Sequence, residues 1–119
     1  MKKFEDLEVY KKAFDFSIAI YKLTSSKTFD LNIKNQIQRA SLSITLNIAE
    51  GFELQSNKQF VRFLYISKGS SGEVRSLLRI CEKLNFINKN TVEELIIESE
   101  DISKQLSKFI SYLKSSNID

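Results

Sequence analysis

"NIAEGFELQSNKQF", residues 47–60, sets Glu50 and Gly51 among Ile48, Ala49 and Phe52 in a chain that otherwise avoids helix breakers. A glycine inside a helix costs up to about 1 kcal/mol relative to alanine, and a carboxylate among apolar residues must find a partner. Either a helix ends here or something close by needs both residues. The rest of the chain favours long helices: proline is absent and glycine occurs only at 51, 69 and 72, too little turn punctuation for several short strands.

Working outward from this stretch, helical periodicity covers residues 5–24, 30–53, 56–84 and 90–114, separated by "SSKTFD", "LQS" and "NFINKN". Asp30 and Ser56 are expected N-caps of the second and third helices. Asn90 or Thr91 is expected to cap the fourth, with Glu93 and Glu94 in its positive first turn. Short connections between long helices favour antiparallel neighbours, so the expected fold is an all-α, antiparallel up-down four-helix bundle. A length of 119 residues with 42% hydrophobic content fits one domain, 1–119, around one core.

The fourth helix carries a single apolar side: Val92, Leu95, Ile96, Ile102, Leu106, Phe109, Ile110 and Leu113. Helix 1 carries two, Leu7, Tyr10, Phe14, Ile18 and Tyr21 on one side and Val9, Ala13, Phe16, Ile20 and Leu23 on the other. Helix 2 repeats the pattern, with Ile33, Ile37, Ala40, Ile44 and Ile48 on one face and Leu42, Leu46 and Ala49 on another. A lone bundle needs one stripe per helix, so the second stripes predict contact with other subunits. The plainer alternative is that surface Phe and Ile are tolerated, since much of any protein surface is apolar.

The net charge of +3 hides an uneven distribution, for residues 56–86 hold six basic residues against two acidic ones. Lys58, Arg62, Lys68, Arg75, Arg79 and Lys83 fall within an arc of about 140° on helix 3, roughly opposite Phe63, Ile66, Val74, Leu77, Ile80, Cys81 and Leu84. Such a row, with Tyr65 as a stacking platform, suits a phosphate backbone, RNA or DNA. A solvated helix face is the competing reading.

With no histidine, the chain lacks a Ser-His or Cys-His nucleophile pair, a Glu-x-x-His di-iron motif and a His-containing zinc site. Cys81, the single cysteine, reads as a small core residue. Glu50 and Glu73 are the remaining acid-base or Mg²⁺ candidates, but a structural ion pair or helix-end hydrogen bond suits them better. No catalytic residue, metal or cofactor is expected. The opening residues lack a signal-peptide core, the lone cysteine forms no internal disulfide and no apolar run reaches membrane-span length, so a soluble cytoplasmic protein is expected.

Two segments carry a family resemblance: "FEDLEVYKKAFDFSIAIYKLT" (4–24) and "QIQRASLSITLNIAEGFELQSNKQFVRFLYISKGSSGEVRSLL" (36–78), above all "QRASLSI", "NIAEG" and "FVRFLYISKGSSGEV". In these the chain resembles the four-helix-bundle proteins called 23S rRNA intervening-sequence proteins. The resemblance implies an antiparallel bundle assembling into a ring, a homopentamer. It also implies kinship with the accessory protein of diversity-generating retroelements, a basic pentamer that binds nucleic acid and a reverse transcriptase. This chain differs from that relative in being only mildly basic.

For Gly51 the expected role is a close crossing of helices 2 and 3, since it shares a face with Ile37, Ala40, Ile44 and Ile48 while Ser67, Gly69, Ser70 and Ser71 lie at mid-helix 3. Glu50 and Glu73 would be anchored by polar neighbours, with Arg39 and Arg75 as candidate partners. Arg39 and Glu50 lie about 16 Å apart along one helix, so a contact between them would have to join two subunits. The leading functional expectation is a non-enzymatic homo-oligomer that binds RNA or DNA through helix 3. Its rivals are a protein-interaction ring that recruits a reverse transcriptase or another enzyme, and an enzyme using Glu50 and Glu73.

Overall fold

The computed structural model describes residues 3–116. A 3-10 turn, Phe4–Asp6, leads into four helices: α1 (Glu8–Leu23), α2 (Leu31–Glu53), α3 (Asn57–Lys83) and α4 (Lys89–Ser115). The described residues contain no strand. The helices form a rod of 49 × 21 × 20 Å. The α2–α3 interface is the most extensive and the α1–α4 interface the thinnest.

Local chemistry sets the helix ends. The Asp30 carboxylate accepts from the Ile33 N–H at 2.9 Å and the Ser56 hydroxyl from the Gln59 N–H at 3.3 Å, as expected of N-caps. At α4 the cap is Asn88, which accepts from the Thr91 N–H at 2.8 Å, rather than Asn90 or Thr91. Asn88 holds extended backbone just outside the helix, whereas Asn90 and Thr91 already lie inside its first turn. The earlier start moves Glu93 and Glu94 out of the first turn. Helix α1 begins at Glu8 rather than residue 5 because Leu7 turns extended after the 3-10 turn. Asn85 ends α3 at φ 62°, with the Phe86 N–H reaching the Cys81 carbonyl at 2.8 Å and the Asn85 N–H the Glu82 carbonyl at 3.1 Å. This is the glycine-type C-terminal cap made with asparagine, which tolerates left-handed backbone.

Packing selects one stripe from each of the two-striped helices. In α1 the core takes Val9, Ala13, Phe16 and Ile20, while Phe14, Ile18 and Tyr21 of the other stripe stay exposed and its Leu7 is buried. In α2, Ile37, Ala40, Ile44 and Ile48 are fully buried, and Leu46 is 60% exposed. The expected apolar face of α3 holds in part: Val74, Leu77 and Cys81 are buried, but Ile66, Ile80 and Leu84 are exposed, and the buried line continues through Phe60, Leu64, Ser67, Ser71 and Leu78. The difference arises because serines count as polar in a sequence pattern yet bury freely once their hydroxyls are bonded.

The α2–α3 contact shows how those serines work. Ser67 Oγ donates to the Ile44 carbonyl at 2.6 Å, the Ser43 and Ser70 hydroxyls meet at 2.8 Å, and Arg39 Nη2 lies 2.6 Å from Glu73 Oε2. At the far end of the interface, a Cβ added to Gly51 would stand 2.7 Å from Phe63 Cβ and 2.9 Å from Phe60 Cδ1. Gly51 is thus a true close-approach glycine inside α2, and its φ is not positive. Gly69 is not part of this crossing; nothing lies within 4 Å of its added Cβ, because its position on α3 faces solvent. Ser71 also turns away from α2, meeting Ser99 of α4 at 2.8 Å.

Candidate nucleic-acid interface

The six cations expected to form one stripe on α3 divide according to what α4 offers them. Arg75 reaches sideways, its Nη1 donating to Ser71 Oγ at 2.8 Å and Ser99 Oγ at 3.1 Å, so its expected pairing with Glu50 or Glu73 does not occur. Arg79 lies 2.6 Å from Glu93 Oε2 and 3.1 Å from Glu82 Oε1. The Arg79 hydrogen bond holds the Glu93 carboxyl below its usual range, and Glu93 and then Glu82 raise the Arg79 guanidinium in return. Arg79 is thus paired with two carboxylates at the protein surface while its guanidinium stays half exposed. Lys58, Arg62 and Lys83 remain on the exposed outer side. Among the described residues no ion pair engages Arg62, Lys68 or Lys83.

Lys68 leads to a feature that the α3 wheel alone cannot show. It lines two shallow hollows between α3 and α4, of about 530 and 550 Å³, that also share Ser107 and so join into one groove. Lys104, Lys108 and Lys114 supply cations from the α4 wall. The pattern of α3 by itself does not point to these three or to Ser103, Ser107 and Ser111, because they come from the neighbouring helix. The signal was present in the regular fourth-residue spacing of Ser103, Ser107, Ser111 and Ser115 beside Lys104 and Lys108. Tyr65, half exposed, stands at one end with Lys114 Nζ 5.8 Å from its ring centroid.

The other candidates occupy separate places. Glu73 is bound to Arg39, and Glu50 is exposed beside a shallow outer hollow that Arg39 and Leu46 also line. Ser70 is buried against Ser43, and Cys81 is buried, with desolvation pushing its thiol upward. No group of three or more His, Cys, Asp or Glu residues among those described is placed to hold a metal ion. No helix among the described residues is long and apolar enough to cross a membrane.

This architecture coincides with a family match. The model of the 23S rRNA-intervening sequence proteins aligns with residues 5–108, nearly the whole bundle. The chain belongs to the 23S rRNA-intervening sequence protein family. A crystal structure of a Bacteroides thetaiotaomicron protein of unknown function, from the S23 ribosomal protein family, superposes with a TM-score of 0.80. The two are 27% identical over 86% of this chain and 97% of the other. A comparison with curated proteins found no match. The stretch shared with the 23S rRNA-intervening sequence family includes the Gly51 crossing and the groove as far as Lys108, and stops before Lys114.

Proposed function

We propose that this family member is a non-enzymatic, homo-oligomeric nucleic-acid-binding or scaffolding protein of the cytoplasm. The observation that carries the reading is the cationic surface formed jointly by α3 and α4, where Lys68, Lys104 and Lys108 lack ion-pair partners among the described residues. Cations left unpaired in this way are available to displace counterions from a phosphate backbone. The bundle is antiparallel and up-down, a reading supported by contacts whose numbers run in opposite senses, Arg39 with Glu73 and Ser43 with Ser70, then Arg79 with Glu93 and Ser71 with Ser99.

Assembly into a ring-like oligomer, a pentamer by family resemblance, is supported by the outer face of α1 and α2. Phe14, Ile18 and Tyr21 are exposed there beside Leu46, and four large apolar side chains on neighbouring helices suit a subunit contact. Sedimentation equilibrium should give a mass several times that of the chain, and a monodisperse monomer at micromolar concentration would refute the assembly. Nucleic-acid binding is tested by titrating RNA and DNA at increasing salt, where affinity should fall steeply. No binding at about 50 mM salt would refute it.

The neutralised Arg79 and inward-turned Arg75 favour a second reading. With two of the six α3 cations engaged internally, the surface can serve as a scaffold that recruits a partner enzyme such as a reverse transcriptase.

A further inference from the structure

We infer that the α3–α4 groove is the ligand-bearing part of the cationic surface, and that it takes the backbone of a single-stranded nucleic acid lying along the helix axes. This rests on the nucleic-acid reading above and adds the place and the strand state.

Three features of the groove converge on that ligand. The first is charge: Lys68, Lys104, Lys108 and Lys114 line it, with Arg75 held at one end by Ser71 and Ser99, against the one carboxylate of Glu100 among its lining residues. The second is the arrangement of hydroxyls. Ser103, Ser107 and Ser111 recur every fourth residue of α4, about 6 Å apart along the axis, and drift only about 40° per step, so they form a nearly straight row. No hydrogen bond among the described residues engages these three hydroxyls, whereas Ser115 Oγ donates to the Tyr112 carbonyl. Small side chains open the floor of the groove, and their free O–H groups can donate to phosphate oxygens.

The third feature is Tyr65, whose half-exposed ring offers a base a stacking surface where Lys114 already sits. Tyr65 and the straight course of the groove decide the strand state. A strand within a duplex winds away from a straight groove and keeps its bases paired inside the helix. An extended single strand can follow the groove and leaves its bases free to stack on Tyr65.

Fluorescence anisotropy with a labelled oligouridylate, an oligothymidylate and a duplex of equal length tests the inference on the full chain. Both single strands should bind at least about tenfold more tightly than the duplex, because phosphate is common to RNA and DNA. Lys104→Gln with Lys108→Gln should lower affinity and reduce the log-log salt slope by about 1.4, since each lost single-strand phosphate contact contributes about 0.7. Tyr65→Leu should weaken binding by about fivefold or more with little change in slope. All three residues are exposed, and circular dichroism checks that the variants stay folded.

The control is Arg62→Gln with Lys83→Gln, on the outer side of α3. If the control flattens the slope and the Lys104 and Lys108 variant does not, the groove assignment is overturned while nucleic-acid binding stands. Preferential binding of the duplex overturns the single-strand assignment. Failure of the unaltered protein to bind any of the three at about 50 mM salt overturns both readings.

Discussion

Gly51→Ala and Gly69→Ala together measure the α2–α3 crossing, because the same methyl group is added in two helices with opposite surroundings. In an exposed helix the change should stabilise by about 1 kcal/mol. At Gly69 nothing lies within 4 Å of the new Cβ, so that gain should appear nearly whole. At Gly51 the new Cβ meets Phe63 Cβ at 2.7 Å, about 1 Å inside ordinary carbon contact. Phe63 Cβ is fixed to the α3 backbone and cannot swing aside. The Phe60 ring, 2.9 Å away, is held by edge contacts to Phe52 and Phe109 at centroid distances of 6.0 and 5.2 Å. Relief therefore requires the two helices to part, and overpacking of this kind costs about 1–3 kcal/mol. The net for Gly51→Ala is a loss of up to about 2 kcal/mol, so the two variants should differ by about 1–3 kcal/mol. At about 4 °C per kcal/mol, their melting temperatures should separate by roughly 4–12 °C. Both are measured by thermal denaturation at one protein concentration, since assembly makes Tm concentration-dependent. Equal stabilisation by the two substitutions would refute the crossing. Gly51→Leu should lose more than Gly51→Ala for the same reason.

Three further outcomes follow from other parts of the bundle. Thr45 is buried and its Oγ1 has no hydrogen-bond partner, so Thr45→Val should raise stability by about 1 kcal/mol in denaturant unfolding; a loss would mean that the hydroxyl is engaged after all. Gln55 ends α2 at φ 58°, a conformation that a β-branched side chain resists, so Gln55→Val should lower stability by about 1–2 kcal/mol and Gln55→Gly should not, which thermal melts would show. Asp101 is held low by its hydrogen bond from Lys12, and Glu93 by that from Arg79. Depressed carboxylates contribute stability above their unfolded pKa that is lost as pH falls through the folded value, so these pairs should weaken from about pH 5 downward. Asp101→Asn with Glu93→Gln should flatten that acid limb, and an unchanged limb would exclude these pairs as its source.

Much of the bundle is legible in the sequence. Periodicity within each helix is a local property, fixed by 100° per residue, and it placed all four helices to within a few residues. Capping by Asp30 and Ser56 depends on side chains three residues from their partners, so it too was readable. Gly51 stood out because a glycine amid a helical apolar face has few explanations besides close approach.

What the sequence could not decide was rotation and partnership between helices. Two equal apolar stripes on α1 look alike on a wheel, and only packing against α2 and α4 buried Val9, Phe16 and Ile20 and left Phe14 and Ile18 outside. The core line of α3 turned towards Ser67 and Ser71 because Ile44 and Ser99, far away in sequence, supply the hydrogen bonds that make burying those hydroxyls tolerable. Likewise, Arg79 loses its availability only when Glu93 arrives across the α3–α4 interface, and Lys68 gains Lys104 and Lys108 as neighbours by the same approach. Charge and hydrogen-bond partnership act over a few ångströms in space, regardless of separation along the chain. The sequence therefore determined the helices and the Gly51 contact, while the tertiary structure decided which surfaces are core, which cations are neutralised and where a groove exists.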